Sequence, residues 1–172
     1  MRIVSLQKCV YSKSLSFKSS SDIQVIRDID DILCRGYRPS ENDIKQFKQR
    51  GINTIIDFSF ETFKDSSPDT EKKLAEKYGI KYYNIPFLDT TNPEDDKIEK
   101  FFSIIENVKK DNGKIFIHCL HGKNRTGLMC EIYKLKNRIS TYDESLYNLM
   151  KSKYPFGENP MANTLLKKMA YK

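Results

Sequence analysis

The sequence contains no long apolar run. None of its stretches approaches the roughly eighteen consecutive apolar residues that a membrane-spanning helix needs. The N-terminal residues also lack the apolar core of a secretory signal peptide. We therefore expect an intracellular, cytoplasmic protein. A chain of 172 residues with 38% apolar content has the size of one domain that can bury a core.

Cysteine and histidine are scarce. The four cysteines, Cys9, Cys34, Cys119 and Cys130, stand at irregular spacing, which favours a reducing compartment over a disulfide framework. The chain has only two histidines, close together in one segment, and no paired spacing typical of zinc ligands. The sequence therefore predicts no metal and no other cofactor.

Acidic residues are fewer than basic ones, and the formal net charge is +7. This excess favours an acidic partner such as a polyphosphorylated small molecule, a nucleic acid or an anionic membrane surface. Because the lysines are spread along the chain, we expect the charge to modify ligand preference rather than to define it. Residues 1–31 are predicted to form a basic arm, or edge strands packed on the domain.

Strand and helix patterns alternate along the chain. Short apolar runs predict strands within residues 22–34, 53–58, 80–85 and 115–117. Helical patterns are predicted over residues 40–50, 71–78, 93–109, from 126, from 141 and from 160. Such alternation implies an α/β fold with a mostly parallel central sheet flanked by helices.

Several boundaries can be predicted from capping residues. A turn over residues 35–39 is expected to lead into a helix capped by Ser40, and residues 60–70 read as a polar loop. Asn92 is expected to cap a helix whose first residue is Pro93. Met150 is expected to face the core from the helix that follows Thr141.

One stretch concentrates the chemistry. The apolar residues 115–117 predict a buried strand, and a helical pattern starts at Thr126. The segment between them contains a glycine, so it can curl and aim successive backbone N–H groups at one point near the positive end of the helix dipole. The sequence therefore predicts an anion site, and phosphate is the anion we expect.

Residue types in this loop indicate a nucleophile. Cys119 would lie among N–H donors near a helix N-terminus, where the thiolate is favoured, and the thiolate is the nucleophilic form. Arg125 offers a planar fork of donors that fits two phosphoryl oxygens. Gly122 allows the backbone to approach the ligand closely. Thr126 could donate its hydroxyl to the sulfur when the sulfur becomes the leaving group.

The pattern resembles a known signature. His118-Cys119, five intervening residues and then Arg125-Thr126-Gly127 resembles the signature of cysteine-dependent protein tyrosine and dual-specificity phosphatases. The resemblance implies a dual-specificity-phosphatase-like catalytic domain over residues 32–172 that forms a phosphocysteine intermediate on Cys119. It implies that His118 holds the loop, and that the loop residues bind the substrate phosphate: Leu120, His121, Gly122, Lys123, Asn124 and Arg125.

The leaving group of such a reaction needs a proton. Asp89 follows a predicted strand, and in the resembling family the general-acid aspartate lies in the corresponding loop, here within Ile-Pro-Phe-Leu-Asp. The alternative is a loop aspartate that caps Thr91 or Asn92. Asp95 and Asp96 are weaker candidates because the first turn of a helix already accounts for acidic residues.

The substrate stays open at this stage. A shallow site in a small domain favours phosphotyrosine together with phosphoserine and phosphothreonine in proteins. Lys123 resembles a lysine of phosphoinositide and inositol-phosphate phosphatases, whereas His121 and Asn124 resemble the RNA 5′-triphosphatase branch. A phosphate-binding module without turnover would be expected to lack the cysteine or the arginine. Cys34 or Cys130 could form a regulatory disulfide with Cys119, although both are more simply buried apolar residues.

Overall fold

Five strands form one sheet in the order β1-β2-β5-β3-β4 in the computed structural model, which describes residues 26–60, 67–151 and 160–171. The strands are β1 (Arg27–Asp28), β2 (Leu33–Gly36), β3 (Ile52–Asp57), β4 (Lys81–Asn84) and β5 (Lys114–His118). β1 pairs antiparallel with β2, and every other pairing in the sheet is parallel. The predicted α/β fold with a mostly parallel sheet is confirmed.

Six helices flank this sheet. They are α1 (Glu41–Phe47), α2 (Pro68–Lys77), α3 (Asp95–Lys110), α4 (Asn124–Lys136), α5 (Tyr142–Lys151) and α6 (Pro160–Ala170). A short 3-10 turn, Lys48–Arg50, extends α1 and ends at Gly51, whose φ of 72° is accessible to glycine without strain. Among the described residues, no helix has the length and apolar content needed to cross a membrane.

The sheet divides the core into two parts. In β5, Ile115 and Ile117 join the larger apolar cluster with α3 and α4, while Phe116 joins the smaller cluster with α1. Successive strand side chains point to opposite faces, so one strand supplies both clusters. Burial on both faces explains why β3 and β5 contain consecutive apolar residues, Ile55-Ile56 and Ile115–Ile117, instead of a strict alternation.

Capping explains where two helices begin. The Ser40 side chain accepts from the Asp43 N–H, and the Asp43 carboxylate accepts from the Ser40 N–H, so the predicted capping box of α1 is present. Ser67 accepts from the Thr70 N–H and Pro68 occupies the first turn of α2. This helix therefore begins before the predicted Glu71, and the predicted loop over residues 60–70 is wrong in its last part; residues 61–66 lie outside the described residues.

Two other boundary predictions are wrong. Arg35 and Gly36 are not in a turn, because they continue β2 and pair with Ile117 and His118 of β5. Helix α3 begins at Asp95, since the carbonyl oxygen of Glu94 accepts the first helical hydrogen bonds, from Lys97 and Ile98. Asn92 and Pro93 therefore precede the helix.

Met150 was also assigned to the wrong face. Its side chain is 56% exposed, whereas Ser145 and Leu149 are buried. Successive helical residues are about 100° apart around the axis, so the residue after Leu149 points away from the face that packs on α4 and α6.

The N-terminal prediction concerns residues 1–31, of which residues 1–25 lie outside the described residues. Within the described part, β1 extends the sheet by pairing Arg27 with Arg35 and Asp28 with Cys34. The division into an arm and a catalytic domain stays a prediction.

Candidate active site

Cys119 lies directly after β5 at the carboxyl edge of the sheet, five residues before the start of α4 at Asn124. The helix begins two residues earlier than predicted. Two backbone hydrogen bonds tie the loop to the neighbouring strands: Arg38 N–H donates to the Leu120 carbonyl at 3.2 Å, and Phe58 N–H donates to the His118 carbonyl at 2.9 Å. The ends of β2 and β3 therefore hold both sides of the segment that carries the cysteine.

The sulfur of Cys119 lies in a polar environment although the residue is only 2% exposed. Burial acts to raise the pKa of this thiol, but hydrogen bonds from the Thr126 hydroxyl and backbone N–H, the Arg125 charge and the Lys123 N–H together lower it below its ordinary value. The thiolate is the nucleophilic form of cysteine, so the loop favours the reactive state.

Arg125 is buried in the first turn of α4, at 5% exposure. Its Nη1 donates to the Phe58 carbonyl oxygen at 3.3 Å. This contact fixes the side chain from the end of β3, and its charge acts on the Cys119 sulfur. A planar guanidinium held in this way can offer its remaining donors to two oxygens of one phosphoryl group.

Gly122 is required by its conformation and by its surroundings. Its φ is 62°, and a Cβ atom at this position would lie 2.0 Å from the Gly36 carbonyl oxygen. Any side chain would therefore push the loop away from the end of β2. The same residue receives a contact that the sequence did not suggest, because Arg35 Nη2 donates to the Gly122 carbonyl at 2.6 Å.

Two basic residues of the loop face outward. His121 and Lys123 are exposed, and we call this pair the loop mouth. Leu120 and Asn124, also predicted to contact substrate, are partly buried. The predicted loop residues therefore divide into a buried or partly buried inner set and an exposed outer pair that a bound substrate could reach.

Beneath the loop lies a second polar group that we call the buried charge cluster: Arg38, Asp57, Glu71 and His118. His118 Nε2 lies 2.7 Å from Glu71 Oε1, and His118 Nδ1 lies 3.7 Å from Asp57 Oδ1. Arg38 approaches the same carboxylates, with Nη2 3.7 Å from Asp57 and Nε 3.6 Å from Glu71. Two cationic and two anionic side chains thus compensate one another in the interior.

His118 is the member of this cluster next to Cys119. It is fully buried, and its Nδ1 lies 3.2 Å from the Cys119 carbonyl oxygen. Burial acts to lower the pKa of His118, but the Glu71 and Asp57 carboxylates outweigh it and raise the pKa to about 9. A protonated imidazole in this position donates to the Cys119 backbone and carries no proton to a substrate.

The cluster also resembles a metal site in its atom types. One oxygen from Asp57, one from Glu71 and one nitrogen from His118 lie within 4.8 Å of one another. However, a metal-bound histidine must be neutral, and here the raised pKa of His118 keeps the ring protonated. Arg38 also contacts both carboxylates, so the donor set does not fit a divalent cation.

Asp89 lies in an exposed turn that follows β4 at the same carboxyl edge of the sheet as Cys119. One strand, β3, separates β4 from β5, so the turn that carries Asp89 and the loop that carries Cys119 follow strands that are not direct neighbours. The N–H of Thr91 donates to the Leu88 carbonyl at 3.4 Å, so this turn closes through its backbone. The role of Asp89 as the general acid stays a prediction.

The other two described cysteines are buried. Burial raises the pKa of the Cys34 thiol to about 12, and burial also raises the pKa of the Cys130 thiol. Neither thiol is therefore activated in the way that Cys119 is. A regulatory disulfide with Cys119 stays a prediction.

Sequence reasoning missed Arg35, Arg38, Asp57 and Glu71. Of these four, only Asp57 could have been suspected from the sequence, because it is a charged residue at the carboxyl end of a predicted strand, where ligands bind in parallel sheets. Glu71 comes from a helix far away in sequence, and nothing in its local pattern distinguishes it from an exposed glutamate. The two arginines lie in a segment that was interpreted as a turn.

Comparisons with known proteins agree on one family. Residues 5–165 match the family model described as "DSP-PTPase phosphatase fused to NAD+ Kinase". The mouse dual specificity protein phosphatase CDC14A is 29% identical over 98 residues, which are 57% of this chain and 15% of that protein. The chain thus spans less than a fifth of the length of this curated relative.

Solved structures share the fold. A putative phosphatase from Shewanella putrefaciens CN-32 aligns with a TM-score of 0.69 at 23% identity, covering 86% of this chain and 90% of the other. The core catalytic domain of the PP-IP phosphatase SIW14 from S. cerevisiae aligns with a TM-score of 0.65 at 18% identity, covering 87% of each chain.

Proposed function

The chain belongs to the family of DSP-PTPase phosphatases whose model it matches over residues 5–165, and on this premise we propose that it hydrolyses phosphate monoesters through a phosphocysteine intermediate on Cys119. The observation that carries the proposal is the arrangement of the loop, in which Cys119 directly follows β5 and the buried Arg125, in the first turn of α4, is held by the Phe58 carbonyl. Thr126, Arg125 and the loop N–H groups act together to lower the pKa of the Cys119 thiol. A binding module has no need of an activated nucleophile.

The first step transfers the phosphoryl group to sulfur. The Cys119 thiolate attacks phosphorus, an S–P bond forms, and the bond from phosphorus to the leaving oxygen breaks. Arg125 and the backbone N–H groups of the loop stabilise the equatorial oxygens, where negative charge is held throughout the transfer. Asp89 gives its proton to the leaving oxygen.

The second step regenerates the enzyme. Water attacks phosphorus, the ionised Asp89 accepts a proton from this water, and the S–P bond breaks to release inorganic phosphate. The Thr126 hydroxyl, which acts to lower the pKa of the Cys119 thiol, stabilises the departing thiolate. No metal or other cofactor takes part in the proposed sequence, because Arg125 and the loop amides supply the positive field.

Phosphotyrosine in proteins is the substrate class that we favour, together with phosphoserine and phosphothreonine. Three large apolar side chains are exposed just after the carboxyl ends of parallel strands: Tyr37 after β2, Phe60 after β3 and Leu88 after β4. They lie at the sheet edge that carries Cys119. Exposed apolar groups beside an anion site favour an aromatic phosphate ester embedded in a peptide.

A multiply phosphorylated ligand is the second candidate. Both residues of the loop mouth, His121 and Lys123, can contribute positive charge beside the bound phosphoryl group. The fold similarity to a PP-IP phosphatase makes an inositol phosphate the first polyanion to test. RNA with a 5′-triphosphate is a third substrate, and it is expected to be poor if Asp89 acts as the general acid.

The first experiment removes the nucleophile. Cys119→Ser should abolish hydrolysis of an aryl phosphate, while Cys130→Ser, at a buried cysteine of the following helix, should retain activity in a folded protein. Circular dichroism of both variants provides the control for folding. Unchanged hydrolysis by Cys119→Ser would reject the proposed mechanism.

The second experiment ranks the substrates. kcat/KM is measured for a phosphotyrosyl peptide, an inositol pyrophosphate and a triphosphate-ended RNA, on one preparation at one pH and salt concentration. We expect the peptide to rank first. A clear preference for the inositol pyrophosphate or the RNA would reject a protein substrate in favour of the preferred class. It would also indicate that the loop mouth binds the additional phosphates.

A further inference from the structure

Arg35 lies on β2, outside the signature loop, yet its guanidinium reaches the loop backbone. We propose that Arg35 is a positioning residue: by holding the carbonyl oxygen of Gly122, it fixes the peptide between Gly122 and Lys123 so that the Lys123 N–H faces the Cys119 sulfur. The inference rests on the proposed function, because it explains how the loop maintains its nucleophile.

The contact is direct and short. Arg35 Nη2 donates to the Gly122 carbonyl oxygen at 2.6 Å, and the same nitrogen lies 3.5 Å from the Lys123 carbonyl oxygen. A charge-assisted hydrogen bond of this length is about twice as strong as one between neutral groups. Arg35 is half-buried in the last part of β2, which is paired with β5, so its backbone is fixed by the sheet.

Peptide geometry transmits this contact to the nucleophile. In a trans peptide the carbonyl and the following N–H point in opposite directions. Arg35 holds the Gly122 carbonyl oxygen, so the Lys123 N–H of the same peptide points the opposite way, and this N–H acts to lower the pKa of the Cys119 thiol. The charge of Arg35 also polarises the peptide and strengthens its N–H as a donor.

The surroundings leave room for an arginine here. A Cβ atom built on Gly127 would lie 3.6 Å from Arg35 Nη2, in ordinary van der Waals contact. A larger side chain at position 127 would displace the guanidinium. Gly127, which ends the Arg-Thr-Gly sequence, thus borders the space that Arg35 occupies.

The test measures the reactivity of Cys119 without requiring turnover. The pH midpoint of Cys119 alkylation by iodoacetamide is determined by mass spectrometry of the peptide that contains it, for the wild type, Arg35→Met and Arg35→Lys. Arg27→Met is the matched control, because Arg27 is exposed and is the direct partner of Arg35 in the β1·β2 ladder. kcat/KM for an aryl phosphate is measured in parallel.

We expect Arg35→Met to raise the alkylation midpoint by about half to one pH unit and to lower kcat/KM by about tenfold, as loss of one well-placed charged hydrogen bond implies. Arg35→Lys should move the midpoint in the same direction by less, since lysine keeps the positive charge but loses the planar guanidinium geometry. Arg27→Met should match the wild type in both measurements.

An unchanged midpoint in Arg35→Met would overturn the inference, even if kcat/KM falls, because Arg35 would then act by another route. Should Arg35→Met fail to fold, Arg35→Lys decides: a raised midpoint supports the inference and an unchanged one overturns it. Failure of the proposed function can be distinguished from failure of this inference. In the first case the wild type would hydrolyse no phosphate ester, while the pH midpoint of Cys119 alkylation could still change in Arg35→Met.

Discussion

The two histidines on either side of Cys119 meet different surroundings. His118 is fully buried against Glu71 and Asp57, which raise its pKa to about 9, whereas His121 is exposed at the loop mouth beside Lys123. Burial decides what each charge can do. A paired charge in the interior fixes the backbone and contributes to folding, whereas a solvated charge at the mouth costs little and is available to a substrate.

From this difference we expect substitutions on the side of the loop that faces a bound phosphate to change the reaction rate, and substitutions in the buried charge cluster to change the stability.

Arg125 should show the largest effect on rate. Arg125→Lys keeps the charge but loses the planar fork, so kcat/KM for an aryl phosphate should fall by about 100- to 1,000-fold. Steady-state kinetics together with thermal unfolding separate the two effects. A loss below about fivefold would contradict the assignment of Arg125 as the phosphoryl ligand.

Asp89 should show the next largest effect. Asp89→Asn should lower kcat/KM by about 100-fold for substrates with poor leaving groups, and far less for a nitrophenyl leaving group, which departs without a proton. kcat/KM is compared because it reports the transfer to Cys119 and excludes the later attack of water, in which Asp89 also takes part. Asp96→Asn, which removes a carboxylate from the first turn of α3, is the control and should leave both rates unchanged. Equal losses for good and poor leaving groups would remove Asp89 from the acid role.

Glu71 tests the buried side of the comparison. Glu71→Gln removes one carboxylate from the buried charge cluster and should lower the free energy of unfolding by about 3 kcal/mol at neutral pH. Urea unfolding measures this change. Glu76→Gln is the control on the same helix, because its exposed pair with Lys72, at 4.0 Å, should contribute little. A stability of Glu71→Gln equal to that of Glu76→Gln would contradict the account of the cluster.

The same cluster predicts a pH dependence of stability. Because the pKa of His118 is raised from 6.5 to about 9 in the folded protein, its contribution is fully present below about pH 6.5 and is lost as the pH rises to 9. The free energy of unfolding of the wild type should therefore fall across this window. Glu71→Gln should show a shallower fall, and a steeper one would mean that another group titrates there.

Lys123 should show the smallest effect. Lys123→Ala should lower kcat/KM for a phosphotyrosyl peptide by less than about twofold and for an inositol pyrophosphate by about two- to fivefold, as expected for an exposed charge. Lys100→Ala, on the exposed face of α3, is the control for overall charge. Equal effects of the two substitutions on the polyanion would show that the loop mouth takes no part in selectivity.

Local sequence patterns were sufficient to predict most helices and strands and the loop that carries Cys119. The strand over residues 115–117, the glycine and the helix that follows are neighbours in sequence, so their physical roles can be inferred together. Ser40 could be assigned as a cap because its partner Asp43 is three residues away. The start of α3 at Asp95 could not be predicted in this way. Asn92 and Glu94 are both acceptable as the residue that precedes the helix, and only the backbone conformation decides between them.

The residues that support the site were harder to predict because they come from distant segments. Glu71 reaches His118 from α2, 47 positions earlier in the chain, and Arg35 reaches Gly122 across 87 positions. Sheet pairing creates these contacts: β2 lies next to β5, so the end of β2 brings Arg35 and Arg38 beside the loop. Without the strand order, each of these charges resembles an ordinary exposed residue.

The most direct test of the central claim is to trap the intermediate. Thr126→Ala should slow release of the thiolate from phosphorus, so rapid acid quench during turnover of an aryl phosphate should place one phosphate on the peptide that contains Cys119. The account predicts this adduct in a ratio approaching one per protein chain, and its absence from Cys119→Ser. Continued turnover by Thr126→Ala with no phosphate on this peptide, or with the same adduct in Cys119→Ser, would contradict it.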